Sequence, residues 1–230
     1  MTKTIVSSAH PITLVGAGDA SPEDLHKALK LAPLCVAVDG GLGLARVAGV
    51  DVAAAVGDFD SADPDDLKAL PKGVQHYVSE QDSTDFEKAL TRLQAPVVIG
   101  VGFLGGRTDH ELAAFHTLLL CQERPCILLG RSEVICLAPP HLSLPTKAGD
   151  TLSLFPLVPV TGRSSSLRWP IDGIDFAPDA RIGTSNVAEG PVTLTMHQPG
   201  MLLILPRALM PALLSALASP QVARWPARAR

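Results

Sequence analysis

Apolar and polar positions along this chain follow two rhythms. Between residues 10 and 130, short unbroken apolar runs trade places with segments whose apolar residues recur every three or four positions. "ITLVGAG" (12–18), "LCVAV" (34–38), "VAAAVG" (52–57), "VQHYVS" (74–79), "PVVIGVGF" (96–103) and "PCILLG" (125–130) are of the first kind. "SPEDLHKALKLA" (21–32), "LGLARVAG" (42–49), "PDDLKAL" (64–70), "STDFEKALTRL" (83–93) and "RTDHELAAFHTLLLC" (107–121) are of the second. Strands of a parallel sheet are covered on both faces and so read as continuous apolar runs, while period-3.6 segments supply the covering helices. Residues 1–131 are therefore expected to form a parallel-sheet α/β domain of Rossmann-like type. The first helix carries its own start signal: Ser21 as cap, Pro22 in the first turn, and Glu23 and Asp24 at the positive end of the dipole.

After residue 131 the rhythm shortens. "SEVICLAP", "HLSLPTKAGDTLSLFPLVP" and "GPVTLTMHQPGMLLILP" are short strands punctuated by Gly, Pro, Asn and Asp, and "VTLTMH" alternates apolar with polar. This predicts an antiparallel β-sandwich or barrel over 132–230. The oily stretch 201–219 is interrupted by Pro206, Arg207 and Pro211. It reads as a buried strand, a turn and a surface helix, too broken to span a membrane.

Composition narrows the field. Apolar residues make up 47% of the 230 and charged residues 18%, enough for a substantial core and unlike a disordered chain. A net charge of −4 without a basic face excludes nucleic acid as a partner, and Arg224, Arg228 and Arg230 read as a solvated tail. The four cysteines form no CxxC and sit among apolar neighbours, which points to buried reduced thiols rather than zinc ligands. The N-terminus lacks the apolar core of a signal peptide, so a cytoplasmic location is expected.

Against this sparse charge, acids recur where predicted strands stop. Asp39 follows "CVAV" and precedes Gly40 and Gly41; Asp58 and Asp60 follow "AAAVG"; Asp82 and Asp85 follow "HYVSEQ"; Arg107 and Asp109 follow "VGFLGG". In an open parallel sheet, ligands bind beyond the carboxyl ends of the strands. Asp58 and Asp60, two apart in extended chain, point to one side and can converge on a hard cation such as Mg²⁺. Asp63, Asp65 and Asp66 read as helix-start residues. Thr84 and Glu87 fit a capping box, which leaves Asp82 and Asp85 for other work; Lys88 can pair with Asp85 or reach a phosphate. Gly105 and Gly106 before a helix start, with Arg107, suit an anion, and His110 reads as structural. "GAGDAS" (16–21) begins like a dinucleotide fingerprint but has Ser21 where the last glycine belongs. An acidic rim, one arginine and glycine-rich helix starts fit phosphoryl or pyrophosphoryl transfer, without naming the acceptor.

Six stretches in order, "VDGGLGLA", "VGDFDS", "QDSTDFEKAL", "GGRTDHELA", "LRWPIDG" and "GTSN", resemble the thiamine pyrophosphokinase family. The resemblance runs from about residue 12 to 205. It implies an ATP-binding catalytic α/β domain, a thiamine-binding β-sandwich, and a homodimer whose active sites lie in clefts shared between subunits. It implies transfer of the β,γ-pyrophosphoryl group of ATP to the thiamine hydroxyl. Carried over by motif, Asp58, Asp60 and Asp85 resemble the Mg²⁺ and reaction-centre acids. Asp109 resembles the acid that places thiamine or activates its hydroxyl. Gln81, Lys88 and Arg107 resemble nucleotide contacts, and Asp39 of "DGG" joins that group. Thr84, Ser185 and Asn186 resemble substrate contacts. Gly43 stands where the family often has Asn, and Val187 and Ala188 stand where some members have an aromatic residue, so no stacking partner is assigned; Trp169 is expected in the core. Two other readings remain at this level: a pyrophosphokinase for another alcohol, such as a hydroxymethylpterin, and a non-catalytic protein that binds thiamine or nucleotide.

Overall fold

The computed structural model describes residues 3–228, so Arg230 of the expected tail lies outside them. The chain divides into two compact units, residues 1–117 with 128–131, and residues 118–127 with 132–230.

In the first unit the elements run β1 (Val6–Ser7), β2 (Ile12–Val15), α1 (Pro22–Leu29), β3 (Leu34–Val38), α2 (Gly41–Val47), β4 (Ala54–Gly57), α3 (Pro64–Ala69), β5 (Gln75–Tyr77), α4 (Asp85–Leu90), β6 (Leu93–Gln94) and β7 (Val98–Val101). The helix α5 (Thr108–Leu120) and the strand β8 (Cys126–Leu129) follow. The strands β7, β2, β3, β4 and β5 lie side by side in that order, every pair parallel. All four residues of β2, β4 and β7 are buried, as the unbroken apolar runs predict. The two-residue strands β1 and β6 pair with each other apart from this sheet, and nothing in their sequence announces them.

Local chemistry sets the helix starts. Ser21 and Asp24 form a reciprocal capping box on α1, fuller than the single cap expected from sequence. Asp63 caps α3 through Asp65 N–H at 2.8 Å. Thr84 caps α4 by accepting Glu87 N–H at 3.2 Å. The start of α2 is pressed onto β2 so closely that a Cβ on Gly41 would sit 2.1 Å from the Val15 carbonyl oxygen. Only glycine fits there, and the contact fixes Asp39, two residues earlier, above the end of β3.

The second unit is antiparallel β. It holds β9 (Glu133–Leu137), β10 (His141–Leu144), β11 (Thr151–Pro156), β12 (Gly162–Leu167), β13 (Gly183–Met196), β14 (Met201–Pro206) and α6 (Met210–Ala218). The fourteen-residue β13 belongs to three ladders: its first part pairs β11, and its later part pairs β10 on one side and β12 on the other. β11 continues through β14 to β9. The stretch 201–219 is a strand, a short turn and a helix, as read from its prolines; Met210, Leu213, Leu214 and Leu217 bury one face of α6. The C-terminal tail is docked in this unit, with Trp225 Nε1 donating to the Ala138 carbonyl and Gln122 Nε2 to that of Pro226. All four cysteines are buried, and burial pushes the Cys35 and Cys136 thiols up to about 12. Among the described residues no helix is long and apolar enough to cross a membrane.

Candidate active site

Because the five strands are parallel, the loops that follow them emerge along one edge in the order β7, β2, β3, β4, β5. Asp39 follows β3, Asp58 and Asp60 follow β4, and Gln81 and Asp85 follow β5, so these three groups stand on neighbouring loops. Arg107 and Asp109 follow β7, three strand spacings or about 14 Å from the β4 position.

The neighbours converge. One carboxylate oxygen from each of Asp39, Asp58 and Asp60 lies within 4.8 Å of the others. The backbone is bent to achieve this. Asp39 has φ 46° and Phe59 has φ 59°, left-handed values unusual for such residues, and Gly57 has φ 155°. A Cβ on Gly57 would sit 3.1 Å from the Asp39 Cβ, so the β4 loop approaches Asp39 as closely as a glycine allows. Ser61 donates to Asp60 Oδ1 at 3.0 Å.

Asp39 is only 7% exposed, and its Oδ1 is buried without a hydrogen-bond partner. Burial pushes its carboxyl above the usual range, and the Asp85 and Asp60 charges push it further; the Gly40 N–H and Ser61 oppose this. A buried, unsatisfied carboxylate oxygen facing two more carboxylates calls for a cation. Three hard oxygen donors at this spacing suit Mg²⁺, which takes carboxylates and keeps room for phosphate oxygens and water.

Lys88 supplies a fixed charge beside the cluster. Its side chain is 3% exposed, and Nζ donates at 2.9 Å to both Asp58 Oδ2 and Asp85 Oδ1. Burial works against the ammonium, yet the two carboxylates outweigh it and its pKa lies above the ordinary value. The Lys88 hydrogen bond is the largest influence holding Asp58 below the ordinary carboxylate range. Gln81 Nε2 also donates to Asp58 Oδ2, at 3.4 Å. Phe86, next along α4, stacks against Phe103 with ring centroids 4.4 Å apart and anchors the helix that carries Lys88.

The geometry therefore distributes the sequence candidates differently from the motif reading. Asp39 joins Asp58 and Asp60 in the three-carboxylate group, while Asp85 has one oxygen on Lys88. The orphaned oxygen that singles out Asp39 is invisible in sequence; its only signal there is an acid before two glycines. Arg107 and Asp109 form their own exposed pair, with two hydrogen bonds of 3.1 and 2.6 Å that hold the Asp109 carboxyl down to about 2. His110 is exposed and its N–H donates to Asp109 Oδ1. Where β2 and β7 end, the glycine-rich loops touch: Gly18 N–H donates to the Gly102 carbonyl at 2.7 Å, and a Cβ on Gly16 would lie 2.7 Å from that oxygen. "GAGDAS" thus makes a tight turn against β7, at the point where the strand order reverses.

In the second unit, Ser185 has φ 60° and its N–H donates to Ser153 Oγ at 2.9 Å. The buried Asn186 side chain binds the backbone of Trp169 on both sides, donating to its carbonyl at 2.7 Å and accepting its N–H at 3.2 Å. Trp169 is not a core residue: it is 56% exposed, with the Arg168 guanidinium 5.7 Å from its ring centroid. Its backbone is fastened to β13, which leaves the indole outside; the sequence cannot show this because a tryptophan among apolar letters reads as core.

Comparison with known proteins agrees with the motifs. Residues 25–128 match the family described as thiamin pyrophosphokinase, catalytic domain. That match contains Asp39, Asp58, Asp60, Asp85, Lys88 and Asp109. Among solved structures, thiamin pyrophosphokinase from Geobacillus thermodenitrificans superposes with a TM-score of 0.71 at 24% identity, covering 85% of this chain and 96% of that one. The enzyme from Bacillus subtilis gives 0.69 at 22% identity, covering 85% and 98%. The one from Candida albicans gives 0.71 at 14% identity, covering 90% and 93%. Residues 25–128 thus match the catalytic domain of the thiamin pyrophosphokinase family, and the fold is the one seen in solved thiamin pyrophosphokinases.

Proposed function

We propose that this protein is a thiamin pyrophosphokinase, moving the β,γ-pyrophosphoryl group of ATP to the hydroxyethyl oxygen of thiamine and releasing AMP. The observation that carries the reading is the meeting of Asp39, Asp58 and Asp60, with the buried Asp39 Oδ1 unsatisfied, inside the segment that matches the family. Asp39, Asp58 and Asp60 would hold Mg²⁺, which when bound offsets negative charge on the triphosphate. The finer expectations travel with this reading: residues 1–131 as the ATP-binding domain, residues 132–230 as a thiamine-binding β-sandwich, a homodimer, and Thr84, Ser185 and Asn186 near substrate.

In the reaction, the thiamine hydroxyl oxygen forms a bond to the β-phosphorus. The bond from that phosphorus to the oxygen bridging the α-phosphate breaks, and AMP leaves with the electron pair. Gln81 and Lys88 hold Asp58 in place, and Lys88 carries positive charge next to the nucleotide. The hydroxyl proton goes to Asp85. Its Oδ2 carries no hydrogen bond among the described residues, whereas both oxygens of Asp109 are taken by Arg107 and the carboxyl is too acidic to be an effective base. Arg107 keeps its pair with Asp109 and meets a phosphate through the guanidinium N–H groups which that pair leaves unused.

The test mixes the protein with ATP, Mg²⁺ and either thiamine or 6-hydroxymethylpterin and follows AMP. AMP release with thiamine alone is the expected result. Release with the pterin instead would move the activity to that alcohol, and no release with either would leave a binding protein.

A further inference from the structure

Lys88 occupies an unusual position for a lysine. A lysine tail is ordinarily solvated, yet this one is 3% exposed and joins carboxylates from two separate loops, Asp58 after β4 and Asp85 at the start of α4. Among the described residues it is the only cation within ion-pair distance of Asp39, Asp58, Asp60 or Asp85. Four carboxylates would otherwise face the site with no internal counter-charge.

That arrangement has opposite consequences for two ligands. A bare divalent cation is drawn to the carboxylates and repelled by the ammonium, which shares Asp58 with it. A metal–triphosphate complex brings its own negative charge. It is repelled by the three grouped carboxylates and by Asp85 beside them, and attracted by the ammonium. We propose that Lys88 is the specificity-determining residue that makes this acidic site take the divalent cation together with its triphosphate rather than the cation alone. The inference rests on the reading of Asp39, Asp58 and Asp60 as the metal site. It gives Lys88 a reason to be buried that a surface phosphate contact would not require.

Binding rather than turnover tests it. Mn²⁺ is titrated into the full-length protein by calorimetry or electron paramagnetic resonance, first alone and then with α,β-methylene-ATP, whose scissile position cannot break. In wild type, Mn²⁺ alone should bind at least tenfold more weakly than Mn²⁺ with the nucleotide analogue. Lys88→Met should cross these affinities, binding bare Mn²⁺ severalfold more tightly and the Mn²⁺–nucleotide complex at least tenfold more weakly. Lys88→Gln should behave alike while keeping a hydrogen-bond donor to Asp58. Affinities that move in the same direction, or that do not move, overturn the selector role. Should neither variant fold, the wild-type comparison decides: equal affinity for Mn²⁺ with and without the analogue overturns the proposal. A wild-type protein that binds no Mn²⁺–nucleotide at all overturns the metal-site reading beneath it, an outcome distinct from the others.

Discussion

Asn186 holds Trp169 by both of its backbone polar groups, at 2.7 Å to the carbonyl and 3.2 Å from the N–H, and a third bond of 2.8 Å ties the same side chain to Val187 N–H. A motif residue expected to touch substrate thus spends its amide on displaying an exposed indole. Asn186→Ala removes the partner of three part-buried backbone groups, at a cost on the order of 1–3 kcal/mol. The expected outcome is a lower Tm together with loss of the fixed Trp169 environment. Tryptophan fluorescence in a Trp225→Phe background, where Trp169 is the sole indole, reports it; an unchanged spectrum and Tm would refute the clamp.

Asp39 should be a residue that the fold tolerates rather than needs. Its carboxyl is pushed up by burial and by Asp85 and Asp60, so its contribution has the sign of a raised acid. The stabilising part is complete below the unfolded value of about 3.9 and disappears as pH rises through the higher folded value. Charging this buried group is therefore a net liability without a cation. Asp39→Asn accepts the same left-handed backbone and should raise Tm at pH 7 in chelator-treated buffer by about 2–4 °C, while diminishing the stabilisation that Mg²⁺ gives the wild type. Scanning calorimetry with and without Mg²⁺ measures both; a lower Tm for the variant would contradict the assignment.

Asp58 separates chemistry from stability. Asp58→Asn keeps an oxygen for Lys88 and Gln81 but removes a charge from the three-carboxylate group. The AMP-release rate should fall by on the order of 100-fold or more, with Tm changed by only a few degrees. Near-normal turnover would remove Asp58 from the metal role.

The ion pair of Asp58 and Lys88 sets an acid limit on stability. Asp58 is held below the ordinary carboxylate range, so its contribution is present above about pH 3.9 and is lost as pH falls through the lower folded value. Lys88 is raised, so its share is complete below about pH 10.4 and is lost only above that. Across the range between them the pair is intact, and Lys88→Met should be less stable than wild type near pH 6 by roughly 3 kcal/mol, with the difference shrinking towards pH 2. Denaturant melts at pH 6 and pH 2.5 read this directly. Asp109→Asn is the control: its pair with Arg107 is exposed on both sides, so its removal should leave stability almost unchanged at either pH.

Much of the fold was written in local pattern. Unbroken apolar runs located β2, β3, β4 and β7, and period-3.6 segments located all five helices of the first unit, because burial on two faces and burial on one leave different periods in a sequence. The turn chemistry of Ser21, Asp63 and Thr84 set three helix starts. The acids of the candidate site were also legible, as carboxylates placed where parallel strands end. The partnerships among them were not. Strand order, which no local pattern encodes, put the loops after β3, β4 and β5 side by side and set β7, whose loop leads to the Arg107–Asp109 pair, three strands from β4. Burial, a property of the assembled core, left Asp39 with an orphaned oxygen, locked Lys88 between two acids and turned Trp169 outward. Sequence alone determined which chemical groups reach the edge of the sheet, since that depends on residues near one another in the chain. Tertiary structure alone decided which of them meet, since that depends on contacts between segments far apart along it.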